Sequence, residues 1–193
     1  MKTTTYDEWL VAVREDLALL PTLDLGRRMG VNMVMEPSSS DLHRVPVPLW
    51  DMYRAFDGLS LPDVYNGYFI DSAARVVSAA ERGMPIKVVG VSELSIHVFG
   101  SDGGDGLFAL GLADSAVYYL PSWGGYHDGV FVEDELTRVR RVADSVQGFL
   151  WRLQGEIRAF VQGDVGHVCM NDWEEHLDWQ LAQAATVAPG QPS

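Results

Sequence analysis

The side chains best placed to do chemistry gather first in a turn. Residues 96–110 read Ile96-His97-Val98-Phe99-Gly100-Ser101-Asp102-Gly103-Gly104-Asp105-Gly106-Leu107-Phe108-Ala109-Leu110, two apolar halves around glycine and aspartate. Such glycines could cradle a phosphate, but that chemistry needs a helix N-terminus behind the loop and a Lys-Ser/Thr pair to gather the anion. Here Leu107 to Leu110 reads as a strand, no lysine is near, and Asp102 and Asp105 would repel phosphate. A hairpin turn is the better reading, because glycine supplies the positive φ angles of tight turns. Calcium would suit Asp102, Asp105 and Asp114 better, yet they lack the EF-hand spacing and a closing glutamate.

Other reactive side chains form no recognised constellation. His97, His127, Asp128 and His176 show no metal-ligand spacing, and the i,i+4 pair Asp172 and His176 is equally a surface pair on a helix. Ser101 sits in Gly-Ser-Asp-Gly and not in a G-x-S-x-G elbow, while Cys169 has only the nearby His167 beside it. Glu133, Asp134 and Glu135 read as a solvated helix start, and Arg138, Arg140 and Arg141 as a solvated face that neutralises those acids. No catalytic residue, metal ligand or cofactor is therefore assigned. The loop Pro121-Ser122-Trp123-Gly124-Gly125-Tyr126-His127-Asp128-Gly129 is different in kind. Its aromatics, Trp123 and Tyr126, either tuck over a sheet edge or stand out as binding anchors.

The elements that must position these groups are legible from periodicity. Thr5 with Glu8 forms a capping box, and Tyr6, Leu10, Val13, Leu17 and Leu20 continue at helical spacing until Pro21. Val31, Met33 and Met35 permit a short strand. Leu49, Met52, Tyr53 and Phe56 give a second helix with Pro48 in its first turn and Gly58 as terminator. Leu61-Pro62-Asp63 and Asn66-Gly67 are turns, Tyr68 to Ile70 a short strand, and Ala73 to Arg82 a helix ending at Gly83. Ile86 to Val89, Leu94 to Phe99, Leu107 to Leu110, Ala116 to Leu120 and Val130 to Val132 are closely spaced β-type runs, which predicts an antiparallel meander. Leu94, Ile96 and Val98 share one face of their strand, and that alternation predicts a single core side. Asp144 with Gln147 starts a helix whose stripe of Val146, Phe149, Leu150, Leu153, Ile157, Phe160 and Val161 covers the sheet. After Gly163 to Gly166, Asn171 with Glu174 opens a final helix carrying Trp173, Leu177 and Leu181, ahead of a polar tail. One domain over 1–165 and a helical extension over 166–193 follow.

Charge narrows the partners. With 14 Lys+Arg against 27 Asp+Glu the chain carries a formal net charge of -13, which repels nucleic-acid phosphates and anionic lipid and favours a basic protein. A single cysteine, Cys169, allows no intrachain disulfide, and no apolar run spans a bilayer, so a cytoplasmic protein is expected.

The order of elements resembles a known family. Val47-Pro48-Leu49 through Phe56-Asp57-Gly58, the hairpin from Val98 to Leu110, Val117-Tyr118-Tyr119-Leu120, and Val142-Ala143-Asp144-Ser145 leading into Phe149-Leu150 together resemble the SUKH superfamily. That superfamily includes yeast cell-wall regulators of the Smi/Knr type and many bacterial immunity proteins. The resemblance spans Pro48 to Phe160 and implies an α+β domain with an antiparallel-rich sheet backed by helices, acting as a protein-binding module without catalysis. It implies an immunity protein that neutralises a polymorphic toxin by direct binding, and the residues read above offer Asp102, Asp105, Trp123 and Tyr126 as its contacts. The aspartates would meet cationic toxin groups and the aromatics would pack. A general regulatory or scaffold module with an endogenous partner is the alternative reading, and a metal-dependent enzyme using His97, His127 and the loop aspartates is a third.

Overall fold

A computed structural model describes residues 6–37, 42–122, 124–135, 137–164 and 166–171. In chain order they form α1 (Tyr6–Leu19), β1 (Met33–Val34), α2 (Trp50–Ala55), β2 (Leu59–Leu61), β3 (Tyr68–Ile70) and α3 (Ala73–Val77). They continue with β4 (Lys87–Val89), β5 (Leu94–Ser101), β6 (Leu107–Gly111), β7 (Val117–Leu120), β8 (Tyr126–His127), β9 (Val130–Val132), β10 (Arg140–Ala143) and α4 (Val146–Gln162). The fold is α+β, with helices packed on a mixed, mostly antiparallel sheet.

Strand β5 is the fork of that sheet. Along one edge it pairs antiparallel with β6, which pairs with β7, which pairs with β10. Its other contacts divide along its length: Leu94 and Ser95 pair with β4, whereas Gly100 and Ser101 pair with β3. From β3 the sheet runs on through β2 to β1, and from β4 through β9 to β8. The predicted meander is thus real for β4, β5, β6 and β7, which β10 extends, but β9 lies parallel to β4. That pairing joins segments some forty residues apart, so nothing local announces it.

Both faces of the central strands are buried, which corrects the expectation of one core side on β5. Phe99, Phe108, Leu110, Val117 and Tyr119 face the helices in the main core, while Ile96, Val98, Ala109, Leu120 and Phe131 form a second core on the opposite face. Plain alternation sends Ile96 and Val98 to one core and Phe99 to the other, and a bulge follows between Val98 and Gly100. Every residue of β6 is buried in consequence.

The helices close the main core. In α1 the Trp9 indole stacks on Phe56 at 5.0 Å and donates from Nε1 to the Leu150 carbonyl of α4 at 2.6 Å. Buried Gln154 donates to Asp16 at 2.5 Å across the same helix pair. The start of α4 is capped by Ser145, whose Oγ accepts from the Gly148 amide, and not by Asp144 as predicted. Gly163, in the left-handed region with φ 66°, ends it where predicted. Helix α3 stops at Val77, short of the expected Arg82, where the Ala79 amide bonds to the Val76 carbonyl and the chain passes into tighter turns. Thr5 and the predicted final helix beyond Asn171 lie outside the described residues.

Candidate binding cleft

The turn at 102–106 is built around one carboxylate. Asp102 Oδ1 accepts from the Gly104 and Gly106 amides, both at 2.9 Å, and Oδ2 accepts from Tyr119 Oη at 2.6 Å and Asn171 Nδ2 at 3.0 Å. At 4% exposure Asp102 is buried, so the structure gives it a different job from the partner contact the sequence suggested. It holds the hairpin tip in shape. Burial, then the bond to Asp102, raises the Tyr119 hydroxyl well above the ordinary phenol range, and Arg140 lies 4.9 Å over the same ring.

Behind the tip a chain of polar contacts reaches α4. Asn171 Oδ1 and Glu156 Oε2 each lie 3.3 Å from Tyr68 Oη, and Glu156 Oε1 accepts the Met170 amide at 2.7 Å. Burial first, then the Glu156 charge, pushes the Tyr68 hydroxyl far up. His167 faces Glu156 at 3.2 Å. The segment after α4 therefore buttresses the turn.

Asp105 has the opposite character. It is exposed, takes φ 69° in the left-handed region that aspartate tolerates, and its carboxylate has no hydrogen bond or ion pair among the described residues. Beside it opens a cleft of about 440 Å³, and strand register explains its floor. Phe69 opposes Ser101, Ser101 opposes Leu107, and Leu107 opposes Leu120, so one cross-strand row runs over β3, β5, β6 and β7 on the face away from the helices. Phe131 of β9 and Tyr126 of β8, themselves paired, close the far side. Tyr126 is 40% exposed and its hydroxyl approaches Met84 Sδ at 3.9 Å.

Two glycines set the walls. A Cβ on Gly124 would strike the Phe131 ring, so only glycine lets the 121–125 loop lie against β9. Gly103, at φ 71°, passes so close to the Asn66 carbonyl that a side chain there would collide with backbone. The turn and the loop, distant in sequence, thus meet at one cleft, bringing Asp105 and Tyr126 to a shared rim. Trp123 lies outside the described residues.

The remaining reactive residues are scattered. Asp114 sits beyond the far end of β6, about 17 Å along the strand from Asp102, and is bound to Tyr118 Oη at 2.7 Å. His97 Nε2 contacts the Val76 carbonyl at 2.9 Å, and exposed His127 faces Asp128 at 3.2 Å. Buried Glu133 accepts the Ser92 amide at 2.6 Å and the Val139 amide at 2.9 Å, which makes it a loop brace and not a helix start. Arg140 and Arg141 belong to β10, with Arg141 paired to Asp144 at 3.1 Å, so the expected solvated face is a strand. Among the described residues no group of three or more His, Cys, Asp or Glu is placed to hold a metal, and no helix is long and apolar enough to cross a membrane.

Sequence reading missed Phe69, Leu107, Leu120 and Phe131 as cleft residues. Their one signal was the alternation of strand residues, which becomes informative only once register is known. No family model matches the chain, and no curated protein or solved structure matches it either.

Proposed function

We propose that this protein is a non-catalytic binding module that neutralises a basic toxin domain in the cytoplasm by direct occlusion. The observation that carries this reading is the cleft, with a floor from four strands, an unengaged carboxylate at Asp105 and a half-exposed Tyr126 on its rim. Interface anchors of this kind pair an aromatic ring and a charge over a rigid apolar base. The formal net charge of -13 complements a basic partner and speeds its encounter. The resemblance of 48–160 to the SUKH superfamily points to the same class. Acid–base and metal chemistry are less well supported, because Asp102 and Glu133 are committed to backbone amides.

Co-expression with the cognate toxin domain tests the proposal. Growth is expected to be restored and a complex to co-purify, and the Asp105→Lys/Tyr126→Ala variant is expected to lose both while its circular dichroism shows it folded. Absence of both rescue and complex with the unaltered protein would overturn it.

A further inference from the structure

We propose that the cleft is a socket for one arginine side chain of the partner. This rests on the reading of the cleft as a docking face and adds the chemistry of the group it receives. Its volume of about 440 Å³ lies toward the lower end of the range for small-ligand sites, enough for a long side chain and its flanking backbone but not for a helix. Among the described residues no lysine or arginine lines it to offset the Asp105 charge.

The distribution of polarity fits a stem with a charged head. Half-buried Phe69 and the edge of Leu107 offer apolar surface for methylene groups, backed by the buried Leu120 and Phe131, while Asp105 and Tyr126 stand at the rim. A guanidinium suits that rim better than an ammonium, since its planar fork pairs with a carboxylate while its face stacks on an aromatic ring. The protein already uses this stacking internally, with Arg140 over Tyr119 and Arg54 over Trp50. Asp105 is also held ready: the neighbouring Asp102 fixes the turn through two backbone amides, so little ordering remains to be done on binding.

Amide NMR titration of the full chain with the peptide acetyl-Gly-Arg-Gly-amide tests the socket directly. Saturable shifts are expected at Gly103, Asp105, Gly124, Gly125 and Tyr126. The citrulline peptide, of the same shape without charge, is expected to bind about fivefold more weakly, as is the arginine peptide to the Asp105→Asn variant. Asparagine tolerates the left-handed backbone at 105, and unchanged amide positions elsewhere will show that the variant is folded. No saturable shift up to about 50 mM peptide, or equal binding of the arginine and citrulline peptides, would overturn the socket. Because the probe is a peptide, that failure leaves the toxin-binding reading standing, whereas loss of toxin binding with intact peptide binding does the reverse.

Discussion

Replacing Asp102 removes four acceptor contacts in one step and asks whether that carboxylate builds the turn. The stranded donors would be the Gly104 and Gly106 amides, Tyr119 Oη and Asn171 Nδ2, previously held at 2.6 to 3.0 Å. A hydrogen bond to a charged acceptor contributes about 1.5–3 kcal/mol, and the carboxylate's own desolvation offsets part of the sum, so Asp102→Ala is expected to cost about 3–4 kcal/mol. Asp102→Asn keeps an oxygen for the two amides but points an NH2 group at the Tyr119 and Asn171 donors, for a cost of about 1–2 kcal/mol. Urea unfolding gives both values, read as a lower midpoint at constant slope. A double-mutant cycle with Tyr119→Phe is expected to show coupling of about 1 kcal/mol. The neighbouring Asp105→Asn serves as control and should stay within about 0.5 kcal/mol of the unaltered protein. If Asp102→Ala were as mild as that control, or showed no coupling to Tyr119, the organising role given to Asp102 would be wrong.

The buried phenols dictate behaviour at high pH. Desolvation raises Tyr53, Tyr68 and Tyr119 above the ordinary phenol value of 10.0, and burial together with Asp114 raises Tyr118 to about 12. Their stabilisation is fully present below the unfolded pKa of about 10 and is lost as pH rises, at about 1.4 kcal/mol per pH unit for each phenol that ionises only on unfolding. Phenolate absorbance and loss of circular dichroism are therefore expected to rise together above pH 10; ionisation of Tyr53, Tyr68 and Tyr119 with the fold intact would contradict it. Gly124→Ala forces a methyl group into the Phe131 ring, and is expected to cost about 1–3 kcal/mol and to abolish arginine-peptide shifts at Gly125 and Tyr126. Thermal melts and the same NMR titration check it.

The helices and most strands were legible because their signals are local. The apolar stripe of α4 and the alternation of β5 can be read within a dozen residues, and Pro21 and Gly163 mark ends by backbone chemistry alone. What escaped was non-local. Strand β2 looked like a turn at Leu61-Pro62, β8 like an aromatic loop, and β10 like an arginine patch, since each is short and owes its form to a distant partner. Sorting Asp102 from Asp105 was beyond the sequence for the same reason: their turn positions are alike, and only the folded position of Tyr119 and Asn171 decides which one turns inward.

Affinity capture from the native host, comparing the tagged protein with its Asp105→Lys/Tyr126→Ala variant, tests the central claim most directly. The unaltered protein is expected to retain a basic toxin domain whose activity is lost in the complex, and the variant, still folded by circular dichroism, is expected to lose it. Retention of that domain by both proteins would remove the cleft from the interface, and capture of no toxin domain by either would contradict the account.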